Sequence, residues 1–491
     1  MKKQYVIPII GLFVILALVN IFVVDREFWF DESFSMMTSF ELQEGNDINW
    51  KEWDVHPPTY YYLFAGWMQI NPGFELHHWA RMLSVLLVAI GLFGLSIFLS
   101  RLFDKQVAWM VLLLFALGST YIHYGTEARS YALVFATMVW AMVYINEAVY
   151  RNNKWLLLAG SFLVGCLAWI HYYSAIGAIL ALTFIFFNKK RFKRTKDWLY
   201  AQAILIFVSS AMLIYPLMLA VAQRSRGDGM WFAPPTLGSW PSAITYGLFM
   251  PEGIISSLFV NLVFWGIMVM ILWFGWRTLF TKSDHSENSI VAMVCMVLPA
   301  VGLLAAPIIG GEGFAHLYHH RFFIVVMWFA IMMMFGSALA SVKGVKRSTL
   351  FVIFVLAAIV MLNAYTASAH HELERVIEAT PCEYAIVMHE SPFSALPAIV
   401  ADRERGCDKL THAISTNLTQ RQGATAGFDA LSPEYIYRNL TLPEENFYYL
   451  MASGVVVVDE ATGRWRQVGM WDVEPEVIYI DNGINLTYVR R

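Results

Sequence analysis

The chain has 491 residues, 58% of them hydrophobic and only 14% charged, with a net charge of −3 and a mean hydropathy of +0.53. Soluble proteins carry about 25% charged residues, so the shortfall excludes a wholly soluble protein and points to many buried apolar spans. The basic residues are scattered over loops, which excludes nucleic acid as a partner.

A membrane-crossing helix needs ~20 mostly apolar residues. On that criterion about eleven transmembrane helices are predicted, near residues 4–24, 79–100, 106–123, 130–150, 155–171, 173–188, 199–222, 254–276, 289–309, 321–341 and 348–367. The first run is longer than the ~7–15-residue apolar core of a secretory signal, and no A-x-A-like site precedes Asp25, so it reads as a retained helix. Even-to-odd connections carry Arg101 and Lys105, then Arg151 and Lys154, then the dense run Lys189 to Lys196, then Arg277 and Lys282, then Lys343, Lys346 and Arg347. By the positive-inside rule these loops face the cytoplasm. The odd-to-even loops and the C-terminal region then face outward, in a multi-pass protein of the plasma membrane.

The outward segments have their own character. Loop 25–78 is long and aromatic, with a short interfacial helix expected over Phe34 to Leu42 and a re-entrant or interfacial one over Thr59 to Ile70. Loop 223–253 carries Arg224, Arg226, Trp231 and Trp240, which suits a segment lying on the membrane surface. Residues 1–367 are read as the transmembrane domain and 368–491 as a small extracytoplasmic α/β domain. In the latter, strands are expected at Tyr384–Met388 and Gly454–Val458, a hairpin at Val477–Ile480 and Ile484–Val489, and a helix over Ser394 to Arg405. Asn417, Asn439 and Asn485 each open an N-x-[ST] sequon, compatible with an external location. Cys166 and Cys295 lie in apolar runs as packing residues. Cys382 and Cys407, both in the C-terminal region, suit a disulfide in an oxidising compartment.

Ionisable groups at a membrane edge are costly, so their clustering on one side marks a site. Of thirteen histidines only His285 falls in a predicted cytoplasmic loop. Asp31 and Glu32 emerge just after the first span. Neighbouring side chains diverge on a helix, so the two have different roles: one carboxylate as general base, the other orienting a partner or binding a cation. The competing assignment is an N-cap, Asp31 or Ser33, for a helix starting near Phe34. His56, held by Pro57-Pro58, is rigid enough to donate to a phosphate or bind a metal. Arg129, in Glu127-Ala128-Arg129-Ser130-Tyr131, offers a planar fork for phosphate oxygens unless Glu127 pairs with it. His171 ends a span, with an interfacial aromatic belt as its other reading. Arg321 opens an apolar helix beside His316, His319 and His320, where an anion such as a lipid phosphate would offset an unfavourable cation at the positive end of the dipole. Arg224 can serve similarly. Arg81 reads as a structural ion-pair partner. No nucleotide-binding loop and no H-E-x-x-H sequence is present, and the energy source is therefore read as an activated lipid. A divalent metal is compatible with the histidine and carboxylate numbers, but no ligand spacing specifies one.

Phe30-Asp31-Glu32-Ser33, His56-Pro57-Pro58, Arg81-Met82-Leu83-Ser84, Glu127-Ala128-Arg129-Ser130-Tyr131 and His171-Tyr172 occur in that order. In this combination the chain resembles the polytopic C-type (GT-C) glycosyltransferases that use polyprenyl-phosphate sugars, among them family 39, the protein-mannosyltransferase-like members, and the lipopolysaccharide-core-transferase-like ones. The resemblance implies a GT-C fold and an inverting transfer. Asp31, with Glu32 beside it, would be catalytic; Arg129, Arg321, His56, His320 and Arg224 would hold the donor phosphate; Glu127, Tyr131 and His171 would meet substrate. The implied partners are a polyprenyl-phosphate-linked sugar, membrane lipid, and a glycan, lipid or protein acceptor. Two other classes compete. A transporter or flippase for an isoprenoid-linked sugar predicts polar groups along the membrane midplane and broken helices. A membrane anchor for the C-terminal domain leaves the placements of Asp31, His56 and Arg129 unexplained.

Overall fold

The computed structural model describes residue 28 and residues 30–50, 56–224 and 324–367, isolated helical positions 266, 269, 273, 290, 291 and 294, and strand residues 386–389, 411–414, 447–451, 458–459, 464–465, 476–481 and 484–489. The first helix among the described residues, α1 (Phe30–Gln43), begins four residues before the expected Phe34. Asp31 and Glu32 therefore lie in its first turn, where carboxylates complement the positive end of the helix dipole. The N-cap assignment for a helix starting at Phe34 falls with that start. α2 (Thr59–Gln69) follows Pro57-Pro58 directly and stays short, close to the expected bounds.

α3 (Leu76–Leu102) is a single apolar helix of 27 residues. The apolar run at 106–123, expected as one span, divides into α4 (Lys105–Ala116) and α5 (Ser119–Thr126) around Leu117-Gly118. The Asp104 side chain caps α4 by accepting from the Val107 N–H at 2.9 Å. α6 (Tyr131–Arg151) ends on Asn152 in the left-handed region (φ 50°), and the Asn153 side chain then caps α7 (Lys154–Ile170). A 3₁₀ turn (Tyr172–Ile176) leads into α8 (Gly177–Phe187). α9 (Thr195–Arg224) runs through Pro216, and α10 (Ile324–Ala340) and α11 (Val345–Ala367) follow. Among the described residues, Leu76–Leu102, Tyr131–Arg151 and Thr195–Leu219 are long and apolar enough to cross a membrane. Spans 4–24, 254–276 and 289–309 lie outside the described residues, apart from the isolated positions above.

α6 packs between α3 and α7, and α7 packs against α9. These contacts close around one apolar core that includes Leu92, Leu95, Phe98, Phe135, Val139, Val164, Leu180 and Phe329. A second cluster, with Phe28, Phe34, Tyr60, Tyr61, Phe64 and Trp79, joins α1, α2 and the start of α3. The helical body is polarised end to end. At one end Glu147 accepts from Arg101 at 2.6 Å and from Arg151 at 2.8 Å, and Arg191 donates to Asn146 at 3.3 Å. Arg347 reaches Asp104 at 3.0 Å. Arg81 lies twenty residues before Arg101 on α3, about 30 Å away along a continuous helix.

The C-terminal strands are β1 (Ile386–His389), β2 (Thr411–Ile414), β3 (Phe447–Met451), β4 (Val458–Asp459), β5 (Arg464–Trp465), β6 (Glu476–Asp481) and β7 (Ile484–Val489). Five of them form one mixed sheet in the order β2-β1-β3-β7-β6, and β4 pairs with β5 separately. β1 runs parallel to β2 and β3, while β7 is antiparallel to β3 and β6. The expected hairpin is present: Asp481 pairs with Ile484 across Asn482-Gly483, a two-residue connection. β3 was not foreseen. Of the expected strand Gly454–Val458 only Val458 is described, in β4. The expected helix at Ser394–Arg405 lies outside the described residues, as do Cys382 and Cys407.

The α6–α7 contact depends on Gly160. A Cβ there would lie 2.7 Å from Ile145 Cγ1 and 3.1 Å from the Ala141 carbonyl oxygen and the Ile145 nitrogen. Backbone atoms cannot step aside as a side chain can. Gly160→Val is therefore expected to lower stability by about 1–3 kcal/mol, seen as a lower thermal midpoint of the purified protein in detergent.

Candidate active site

The end of the bundle opposite the Arg101–Glu147 cluster gathers residues from five elements. Its centre is a buried ion pair. Arg81 Nε donates to Glu32 Oε1 at 2.9 Å and Nη2 donates to Glu32 Oε2 at 2.7 Å, with both side chains fully buried. Glu32 Oε1 also accepts from the Ala128 backbone N–H at 2.9 Å. The Phe28 ring covers the guanidinium, 5.2 Å from its centroid. Glu32 thus ties α1 to α3 and to the 127–130 segment, and both its oxygens are engaged away from solvent. The sequence reading grouped Glu32 with Asp31 as catalytic; in the structure its two oxygens are engaged by Arg81 and the Ala128 N–H.

Asp31, one residue earlier, points elsewhere, as the helical divergence of neighbours requires. Its side chain is 19% exposed, and its Oδ2 lies 3.9 Å from Arg129 Nη2. Arg129 is itself buried. Its Nη1 donates to the Tyr61 hydroxyl at 3.0 Å, to the Asp31 carbonyl at 3.3 Å and to the Ser35 hydroxyl at 3.4 Å. The fork expected to face a phosphate therefore grips the start of α1 and the first turn of α2. Glu127 does not pair with Arg129. It is fully buried, with Oε1 2.9 Å from His123 Nε2 and Oε2 without a hydrogen-bond partner. Its backbone carbonyl accepts from the Ser84 hydroxyl and from the Arg129 N–H, which closes a tight turn before α6.

A third group stands beside these. The His56 ring, half-buried before α2, lies 5.0 Å from the buried His171 ring at the end of α7. His171 in turn lies 5.9 Å from Tyr131, the first residue of α6. Tyr60 is buried against Tyr61 and Phe64, and burial pushes its phenol well above its ordinary range, partly opposed by Arg129. It therefore stays protonated at any working pH.

Asp31, His56, Arg129, Tyr131 and His171 are thus brought to one end of the bundle from across 140 positions of sequence. His316, His319, His320 and Arg321 lie outside the described residues, as does the side chain of Arg224. Sequence reasoning missed Ser35 and Tyr61. Ser35 carried a signal, since it stands four residues after Asp31 and shares its helix face. Tyr61 is one of three consecutive tyrosines, and only packing selects it.

Comparison with known proteins bears on this arrangement. Residues 55–215 match the family described as dolichyl-phosphate-mannose-protein mannosyltransferase. No curated protein matches the chain. Among solved structures, ArnT from Cupriavidus metallidurans bound to undecaprenyl phosphate superposes with a TM-score of 0.59 at 11% identity, covering 99% of this chain and 98% of that one. The oligosaccharyltransferase of Archaeoglobus fulgidus in its apo form gives 0.50 at 12% identity, covering 91% and 70%. The same enzyme tethered to an acceptor peptide containing the NVT sequon gives 0.51 at 12% identity, covering 91% and 69%. The family match spans part of the chain, and the superpositions show that the chain shares the fold of ArnT and of the archaeal oligosaccharyltransferase. That fold and the three described helices long and apolar enough to cross a membrane fit a multi-pass membrane protein.

The ion pair has a measurable signature. Arg81→Met strands a buried carboxylate and is expected to cost about 3–5 kcal/mol. Glu32→Met together with Arg81→Met leaves no buried charge and is expected to cost clearly less. Thermal midpoints of the two variants in detergent read the difference.

Proposed function

We propose that the protein is an inverting glycosyltransferase that moves a sugar from a polyprenyl-phosphate donor to an acceptor on the extracytoplasmic face of the membrane. One observation carries the reading: Asp31 is the partly exposed carboxylate of the Asp31–Glu32 pair, and it is held from behind by Glu32 and from the side by Arg129. A sugar or side-chain hydroxyl is a poor nucleophile, and a positioned base supplies a typical ~10²–10⁴-fold acceleration. The acceptor oxygen attacks the anomeric carbon as its proton passes to Asp31. The bond from that carbon to the phosphate oxygen breaks, the configuration inverts, and polyprenyl phosphate departs.

The other residues take roles around that step. Glu32 and Arg81 position α1. Arg129, Tyr61 and Ser35 orient Asp31. His56, beside His171 and Tyr131, is the described group best placed to donate to the departing phosphate, where hydrogen-bond donors stabilise developing charge. Arg224, His320 and Arg321 are further candidates for that phosphate. The ArnT structure, bound to undecaprenyl phosphate, supports a lipid phosphate as leaving group. The two ends of the body support the orientation: basic loops at one end fit the cytoplasm, and the Asp31 end then faces out, with residues 368–491 as an extracytoplasmic domain. A transporter would place its polar groups at the midplane; the described polar clusters sit at the two ends of α3 and α6.

Transfer from defined polyprenyl-phosphate sugars by the purified protein tests this directly. Asp31→Asn is expected to lower the rate by about 10²–10⁴-fold while leaving the thermal midpoint close to wild type. Full activity in Asp31→Asn would remove the base. Uptake of the lipid-linked sugar into vesicles without covalent transfer would favour the transporter. Tyr61→Phe takes one acceptor from Arg129 and is expected to slow transfer by a smaller factor, roughly 10- to 100-fold.

A further inference from the structure

The start of α3 gathers a second set of ligating atoms that the transfer step does not use. Glu75 Oε2 lies 2.8 Å from His78 Nδ1 and 3.6 Å from His77 Nε2. All three ligand atoms fall within 4.8 Å of one another. The two imidazole rings lie side by side, 4.1 Å apart. A Glu75–His78 hydrogen bond explains the first distance. It does not explain why His77 brings a second nitrogen towards the same oxygen.

The backbone beneath these residues is braced. Trp67 on α2 stacks on Trp79 on α3 at 4.3 Å, and each indole N–H donates to the other residue's carbonyl, at 2.8 and 2.9 Å. Phe74 also stacks on Trp79, at 5.6 Å. In the connecting loop the Asn71 side chain accepts from the Gly73 and Phe74 N–H groups and donates to the Phe74 carbonyl. Glu75, His77 and His78 thus project from a fixed turn, with Glu75 exposed and both histidines partly so.

We propose that Glu75, His77 and His78 bind one divalent transition-metal ion of the zinc class, with a fourth coordination position open to solvent. Two imidazole nitrogens and one carboxylate oxygen suit Zn²⁺, Cu²⁺ or Ni²⁺, whereas Ca²⁺ and Mg²⁺ require oxygen ligands. Zinc–ligand bonds of about 2.0–2.2 Å in a tetrahedron place neighbouring ligand atoms about 3.3–3.5 Å apart. The Glu75–His77 separation already matches this. The Glu75–His78 separation must open by roughly half an ångström, within reach of side chains that meet solvent. Three protein ligands leave room for a water or an anionic oxygen. The His77 ring also meets the Phe28 ring edge-on at 6.4 Å, and Phe28 covers Arg81. An ion here would therefore stiffen the turn next to the Glu32–Arg81 pair. The site rests on ligand geometry and does not depend on the transfer reaction.

The test uses full-length protein in detergent, stripped of metal with a chelator and then equilibrated with Zn²⁺. Bound zinc per chain is measured by elemental analysis, and affinity by competition with a chromophoric chelator. Wild type is expected to hold one equivalent more than His77→Ala/His78→Ala, and Glu75→Gln to weaken that equivalent by about tenfold or more. Co²⁺ is expected to give a tetrahedral visible band in wild type that the double variant lacks. Equal zinc content and affinity in wild type and the double variant would overturn the site, leaving a Glu75–His78 hydrogen bond. Metal-free thermal midpoints separate a lost ligand from a lost fold. If the double variant does not fold, Glu75→Gln, an exposed substitution, decides alone: unchanged zinc affinity overturns the proposal.

Discussion

The Glu32–Arg81 pair is the constraint on which the rest of the site depends. Moving two charges out of water costs several kcal/mol per ion even after relaxation. The cost is tolerable only with good geometry and with the remaining lone pairs satisfied. Both conditions hold: the guanidinium meets the carboxylate through two bonds, and the Ala128 N–H takes a further position on Oε1. The result joins three distant stretches of chain. Because residues 31 and 32 share one helical turn, fixing Glu32 also fixes the direction in which Asp31 points. The adjacent carboxylates therefore divide the work, with one spent on geometry and the other left at the edge of solvent.

Arg129 completes the division. A buried guanidinium needs acceptors, and it finds them on α1 and α2 in the Asp31 and Tyr61 groups. The 127–130 segment consequently grips α1 twice, through the Ala128 N–H to Glu32 and through Arg129 to Asp31. Neither grip alone fixes both the position and the rotation of the helix start. The opposite end of the bundle carries its own polar network around Glu147, and α3 and α6 connect the two ends through an apolar core.

Much of this was legible in the sequence because membrane helices must be long and apolar. α3, α6, α7 and α9 fall close to their expected bounds, and Arg81 was read correctly as an ion-pair partner. What was not legible depends on tertiary contacts. The break at Leu117-Gly118 was hidden because a length criterion carried the apolar run of α4 on through Ile122, although Ser119–Thr126 is the more polar of the two pieces. The start of α1 at Phe30 was hidden because local capping rules offered Ser33 a plausible role. The pairing of Glu127 with Arg129 looked natural from spacing, but the turn after α5 sends the two side chains to different neighbours, His123 and Asp31. In the C-terminal sheet, the Asn482-Gly483 turn announced its hairpin, while β3 (Phe447–Met451) lacked a flanking signal that outweighed the valine run after it.

The convergence also separates positions the fold leaves loose from those it constrains, in a chain that is 11% identical to a structure of the same fold. Lipid-facing and core positions ask only for apolar volume, which many sequences supply. The positions that cannot drift are those whose partners are fixed in both chemistry and direction. A bidentate carboxylate needs a guanidinium, not an ammonium. A turn that offers a backbone N–H to that carboxylate must keep its own geometry. An orienting arginine must reach a hydroxyl and a carbonyl at once. Glu32, Arg81, Ala128, Arg129 and Tyr61 satisfy these demands together, so a change at any one of them propagates to Asp31.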